Sequence, residues 1–423
     1  MFYRVADRTS STLTTGLDLL TGTNTVPAFT CEIALGSNPG DAALTWTDVS
    51  TYLRSFHITR GRQYELNQMQ AGTCDITLKN LDRRFDPTYS GSPYYPNLRP
   101  MVPVRISAVF QATTYRLFTG YVERFPQNRV GWSYAETDIQ AVDGFELLTN
   151  SVLPGSGSPY PQELSGARVT RVLNAVSWSS SARAIAAGQS QVIAKTFADI
   201  DFLDPLSHLQ DVTTSELGNL FVDRTGSVVF LDRYTSIAST VSGTFTDQPL
   251  VDTGDIGYSD LQKSFDKDLI YNDWRGTRSG GSIVQEALDS ISITKYAQRA
   301  QSRTPLLPAD GDVANQMQAL LNAYKEPSMR VSQITLTPGN NVATWLQVLS
   351  RELLDRLTIR EHPPGGGAPF TQDSLIQQID LTVDKDVASA KCVYSLLQAN
   401  PNSYLILNDA TSGTLDSTNT LGY

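Results

Sequence analysis

Histidine, cysteine and long apolar runs are the scarce features of this 423-residue sequence. The three histidines, His57, His208 and His362, are spaced so that no pair suggests a metal site, and each reads as a structural or solvated residue. The three cysteines, Cys31, Cys74 and Cys392, are far apart, odd in number and without C-x-x-C spacing. They read as small apolar strand residues and not as a disulfide or metal framework. No stretch approaches the roughly 18 apolar residues of a membrane-spanning helix. The N-terminus, MFYRVADRTSSTLTTGLDLL, lacks the basic start and apolar core of a signal peptide. The expectation is a soluble protein made in a cytoplasm with its thiols reduced.

Charge is sparse too, at 18% of residues against roughly 25% in an average soluble domain. The 33 basic residues are outnumbered by 43 acidic ones, for a net charge of −10 and a pI near 4.9. Nucleic-acid affinity comes largely from Lys and Arg neutralising phosphates, so this balance argues against a nucleic-acid binder. An acidic protein can still line a conduit for DNA without holding it. Enzyme signatures are missing as well: there is no G-x-S-x-G, H-E-x-x-H, G-x-x-x-x-G-K-[ST] or dinucleotide glycine fingerprint. The close pairs Asp82 and Asp86, Asp266 and Asp268, and Asp384 and Asp386 fit solvated turns better than a glycosidase carboxylate pair. Asp310-Gly311-Asp312 lacks the further ligands of a calcium loop and reads as a helix cap. The expectation is a non-enzyme with no catalytic, cofactor or metal-binding residues and no cofactor.

What the chain has is alternation. Cys74, Ile76 and Leu78 alternate with polar residues, as do Val104, Ile106, Ala108 and Phe110. Ile379, Leu381 and Val383 repeat the pattern, followed by Cys392, Tyr394 and Leu396. This is the period of strands with one buried face. Asn219–Val222 and Ser227–Arg233 flank a turn and read as a hairpin, and Pro363–Gly367 reads as a hairpin tip between Ile359 and Leu375. Four helices interrupt the strands. Val169, Val172, Leu173 and Val176 mark one; Asp204-Pro205 starts another that stops at Gly218. Val313, Met317, Leu320, Leu321 and Tyr324 mark a third, and Val342 to Leu353, capped by Asn340 or Asn341, a fourth.

The breakers divide the chain. The Gly-, Ser- and Pro-rich stretch 151–162 and a second soft region at 235–257 separate a β-rich unit 1–150, a mixed α/β unit 151–254 and a second β-rich unit 255–400 with two helices. Residues 401–423 form a tail. The fold class is α+β and β-rich. Tyr89, Tyr94 and Tyr95 in a Pro-rich loop, and Trp132 with Tyr134 on a strand, read as interface anchors more than as sugar-stacking residues.

Between Trp46 and Val122 a series of motifs occurs in fixed order. It comprises W-T-D-V-S at 46–50, R-G-R at 60–62, A-G-T at 71–73, N-x-D-x-R-F-D-P at 80–87, P-N-L-R-P at 96–100 and L-F-T-G-Y-V at 117–122. As a set they closely resemble the N-terminal domain of minor tail proteins of siphophages, especially those of actinobacterial hosts. The hairpin ending in Phe230–Arg233, the stretch Ser292–Tyr296 with the helix after it, and Ile406–Gly422 resemble later parts of tail hub proteins more loosely.

The resemblance implies two tail-tube-like β-barrels per chain and a homotrimer forming a pseudo-sixfold ring. That ring would continue and close the tail tube at the virion's tail tip. It further implies contact with the distal tail protein ring, the tape-measure protein and further tail-tip or receptor-binding proteins, with DNA passing through unbound. A hexameric distal tail adaptor and a host cell-wall glycan-binding tip protein are the alternative readings.

Overall fold

The computed structural model describes residues 25–399 except 42, 131–133, 155–158, 236–238 and 386–388, together with 403–404 and 419–420. Trp132, Asp386 and most of Ile406–Gly422, singled out above, lie outside the described residues.

Alternating apolar residues build the first unit: β1 (Ala28–Ile33), β2 (Leu53–Gly61), β3 (Gln70–Lys79), β4 (Pro103–Phe110), β5 (Thr113–Arg124) and β6 (Tyr134–Val142). In β3, Cys74, Ile76 and Leu78 are buried while Asp75 and Lys79 are exposed, as the period of two requires. The strands pair antiparallel in the order β2-β3-β6-β5-β4-β1.

Helix and hairpin follow. α1 (Phe145–Thr149), α2 (Ser165–Ala175) and α3 (Pro205–Glu216) cover the hairpin of β7 (Asn219–Val222) and β8 (Val228–Leu231). Val169, Val172, Leu173, Leu209, Val212 and Phe230 form the core between them. Asp204 caps α3 through the Leu206 amide, 2.9 Å away, with Pro205 in the first turn. The left-handed residue that ends α3 is Leu217, φ 57°, and not Gly218. Gly218 serves a different need: a Cβ there would stand 2.4 Å from the Leu231 carbonyl oxygen.

The second β-rich unit comprises β9 (Val241–Thr246), β10 (Asp260–Ser264), β14 (Arg330–Leu336), β15 (Arg356–Glu361), β16 (Phe370–Asp384) and β17 (Ser389–Gln398), with α6 (Val342–Ser350) on its core. Its order is β9-β15-β16-β17-β14-β10. Between β10 and β14 lies a small sheet of β11 (Asp273–Thr277), β12 (Val284–Leu288) and β13 (Ala300–Arg303), with α4 (Ser290–Tyr296) and α5 (Asp310–Tyr324). Val313, Met317, Leu320 and Leu321 of α5 pack with Trp274. Asp310 and Asp312 occupy the first turn of α5 instead of capping it; Ala309 is the N-cap and makes no side-chain bond. Their charges suit the positive end of the helix dipole, and Asp310 accepts from Arg278 Nε at 3.3 Å.

Seven α-helices occur among the described residues, against four read from the sequence. The additional ones, α1, α4 and Phe197–Ile200, span at most two turns, too short for an apolar stripe to register.

Candidate functional site

The feature that organises the molecule is a strand junction. β16 is fifteen residues long and changes partner midway. Residues 370–375 pair with β15, and residues 378–384 pair with β2, while β17 pairs with the other edge over residues 374–384. The two β-rich units, six strands each, therefore join with the short strands Thr47–Asp48, Gln127–Val130 and Ile256–Gly257 in one 15-stranded sheet, with β15 and β2 end to end along the same side of β16.

The tripeptide Arg60-Gly61-Arg62 sits at the changeover, and each residue has a separate task there. Gly61 has φ +102°, and a Cβ at this position would stand 2.1 Å from the Gln377 carbonyl oxygen and 2.8 Å from Leu353 Cδ2. No larger residue leaves room for the backbones to meet. Arg62 continues the ladder, its amide donating to Gln377 O at 2.8 Å and its Nε to Gln377 Oε1 at 2.7 Å. Arg60 is buried and forks onto Glu352, with Nη1 3.2 Å from Oε2 and Nη2 bonded to Oε1.

Glu352 also binds the middle unit. Its Oε2 accepts the Arg224 amide at 3.2 Å, from the turn between β7 and β8. The Arg224 guanidinium donates to the carbonyls of Leu349 and Ser350 at 2.7 and 2.9 Å, closing the C-terminus of α6 with a cation where the helix dipole favours one. Thr119 Oγ1 of β5 reaches Arg224 O at 3.1 Å. All three units meet at this carboxylate. Burial pushes the Glu352 carboxyl up, but Arg60 outweighs it and holds the group below its ordinary range.

Gly72 belongs to the same cluster. It lies inside β3, its amide donating to Asp143 Oδ2 at 2.6 Å. A Cβ there would stand 2.8 Å from that oxygen and 3.0 Å from Arg60 Cγ. Gly120 of the L-F-T-G-Y-V motif is a similar case, its Cβ position 2.4 Å from Val142 O. Asn80 folds the next motif, accepting the buried Phe85 amide at 2.9 Å, while Asp86 accepts from Thr88 and Arg83. The loop at Pro96–Pro103 is pinned to its own unit by buried Leu98 and Val102, and Arg99 Nη2 donates to Ser37 O at 2.7 Å.

The remaining singled-out residues scatter. Tyr94 stacks at 5.5 Å on Phe85, Tyr89 lies under Arg83, and Tyr95 is exposed. Tyr134 accepts from Arg54 at 2.7 Å. The cysteines lie buried in β1, β3 and β17, where burial pushes all three thiols up. His57 bonds Asp380 at 2.9 Å across the β2–β16 pairing, and His362 bonds Asp247 at 2.8 Å. Among the described residues no group of three or more His, Cys, Asp or Glu could hold a metal ion.

His208 is buried beside Arg168, 3.4 Å from its Nη1, where a neutral ring nitrogen must accept. Burial, and then Arg168, lower it to about 3. A depressed histidine contributes stability that is complete above its unfolded value near 6.5 and is lost as pH falls towards 3. The middle unit should lose stability across that window, and His208→Gln should flatten the loss, as monitored by thermal melts at several pH values. An unchanged profile in the variant would refute the assignment.

No protein-family model matches the chain, and no curated protein matches it. Solved structures do. The 43 kDa tail protein of prophage MuSo2 from Shewanella oneidensis superposes with a TM-score of 0.57 at 13% identity, covering 88% of this chain and 97% of that one. The tail protein from Neisseria meningitidis MC58 gives 0.55 at 12% identity, covering 89% and 97%. The agreement spans nearly the whole of both proteins, so the chain has the fold of these phage tail proteins.

Proposed function

We propose that the chain is a non-enzymatic structural subunit of a phage tail, the hub of its tip. Three copies form a ring that continues and closes the tail tube. The observation that supports this best is the junction at β16: two six-stranded units are held side by side in one sheet, so three chains supply six such units. A ring of that kind meets a sixfold tube without a change of symmetry at the contact. The net charge of −10 keeps DNA from adhering as it passes. Nearly full exposure of Leu250, at 95%, with Val251 at 69%, supplies apolar contacts for assembly. In this role the ring contacts the distal tail ring and tape-measure protein above it and receptor-binding or other tip proteins below.

Electron-microscope class averages of the purified protein test this. A threefold ring with six lobes around a pore is the expected image. A sixfold ring with one chain per repeat would move the assignment to a distal adaptor, and a monomer that binds cell-wall glycan would refute both.

A further inference from the structure

A cleft of about 490 Å³ opens where the loop 62–69, α3, α5 and β17 converge, with Gln377 in its lining. That volume is in the range of small-molecule and peptide side-chain sites. Its walls are partly apolar, with Leu66, Leu217 and Leu397 among them. Its charge is the reverse of the molecule's: four arginines, Arg62, Arg233, Arg303 and Arg330, face two glutamates, Glu65 and Glu326.

Both glutamates are already engaged. Glu65 hydrogen-bonds to Tyr324, and burial pushes its carboxyl up towards the neutral form. Glu326 accepts from the Tyr296 hydroxyl at 3.0 Å and lies 3.5 Å from Lys295. The arginines are not matched by them. Arg62 is spent on Gln377 and Asn67, and Arg233 on Ser190 at 3.4 Å, with Glu216 4.0 Å away. Among the described residues the Arg330 side chain has a single hydrogen bond, from Nε to Ser328.

Arg303 is the exception that points to a ligand. Among the described residues its guanidinium makes no hydrogen bond and no ion pair; its partner is the Trp274 ring, 5.5 Å away. A guanidinium presents five N–H donors in a planar fork, and this one is half-buried and faces the open cleft. A further donor lining the cleft is unmet: among the described residues the buried Gln377 Nε2 has no hydrogen-bond partner. Three units of the fold thus converge on one donor-rich, apolar-walled space.

We propose that this cleft is a binding site for a carboxylate carried on an apolar body, with the Arg303 fork taking the carboxylate and the leucine wall taking the rest. The planar fork fits a carboxylate with two parallel hydrogen bonds, and the wall disfavours a fully hydrated anion such as phosphate. The carboxylate can come from an acidic side chain of an apolar peptide segment or from a free organic acid. The proposal is independent of the tail-hub reading.

Calorimetric titration of the full chain tests it, with three probes at fixed salt. These are a blocked leucine-rich peptide carrying one glutamate, octanoate, and inorganic phosphate. Expected is saturable binding of at least one carboxylate probe at one site per chain, weakened about tenfold or more in Arg303→Met, the loss that removing a charge-assisted hydrogen bond brings. Binding of the peptide alone assigns a partner segment, and binding of octanoate as well assigns a free acid. Arg330→Met, read alongside, should weaken the same binding and serves if the first variant folds poorly. No binding of either carboxylate, binding unaffected in both variants, or phosphate binding as tightly as the carboxylates would overturn the proposal.

Discussion

Replacing Glu352 with alanine should cost about 3–5 kcal/mol of stability, the usual penalty for stripping the partner from a buried charge. Arg60 is 4% exposed and has its fork on Glu352; its Nε has no partner. Removing the carboxylate strands that guanidinium and also frees the Arg224 amide from the turn of the middle unit. Denaturant titration gives the loss directly. The double variant Arg60→Met with Glu352→Met should be far milder than the sum of its parts, because two apolar residues leave no charge behind. A Glu352→Ala cost under about 1 kcal/mol would mean that the pair is solvated and not structural.

Gly61→Val should be the most damaging single change in the first unit. The substitution places a branched side chain 2.1 Å from a backbone oxygen and 2.8 Å from Leu353, at φ +102° where side chains are strained. Strained dihedrals cost about 1–3 kcal/mol and overpacking a similar amount, so about 3 kcal/mol or more is expected. The clash is with Gln377 of β16, so the failure should be local. Amide exchange should rise along residues 55–61 and 378–384 before it rises in the hairpin of β7 and β8. Uniform destabilisation, or a tolerated valine, would show that the units are held together elsewhere.

Much of the local structure could be read from the chain. The four helices with apolar stripes and the hairpin at Asn219–Arg233 are where period and turn chemistry put them. So is the Pro363–Gly367 hairpin tip, and Asn341 does cap α6, accepting the Thr344 amide at 3.1 Å. The β-rich α+β class followed from the same alternation. The junction could not be read this way. Arg60 and Glu352 are 292 residues apart in sequence, and the pairing of β2 with β16 leaves no trace in the periodicity of either strand.

The signal that did exist was the R-G-R tripeptide, which stood out as a motif before it had a physical meaning. Gly72 and Gly120 were similarly visible as motif glycines. Their reason, a carboxylate at Gly72 and a carbonyl at Gly120 within 3 Å of the missing Cβ, needs the third dimension. Arg303 carries no motif at all, since an unpaired guanidinium differs from a paired one only in what surrounds it.

In the proposed hub, two β-rich units in one chain make half the number of subunits suffice for a sixfold ring. The most direct measurement is the native mass of the purified assembly, set against the 46.3 kDa of one chain. Three chains per particle is the predicted result. Six chains, or one chain at all concentrations, would contradict it.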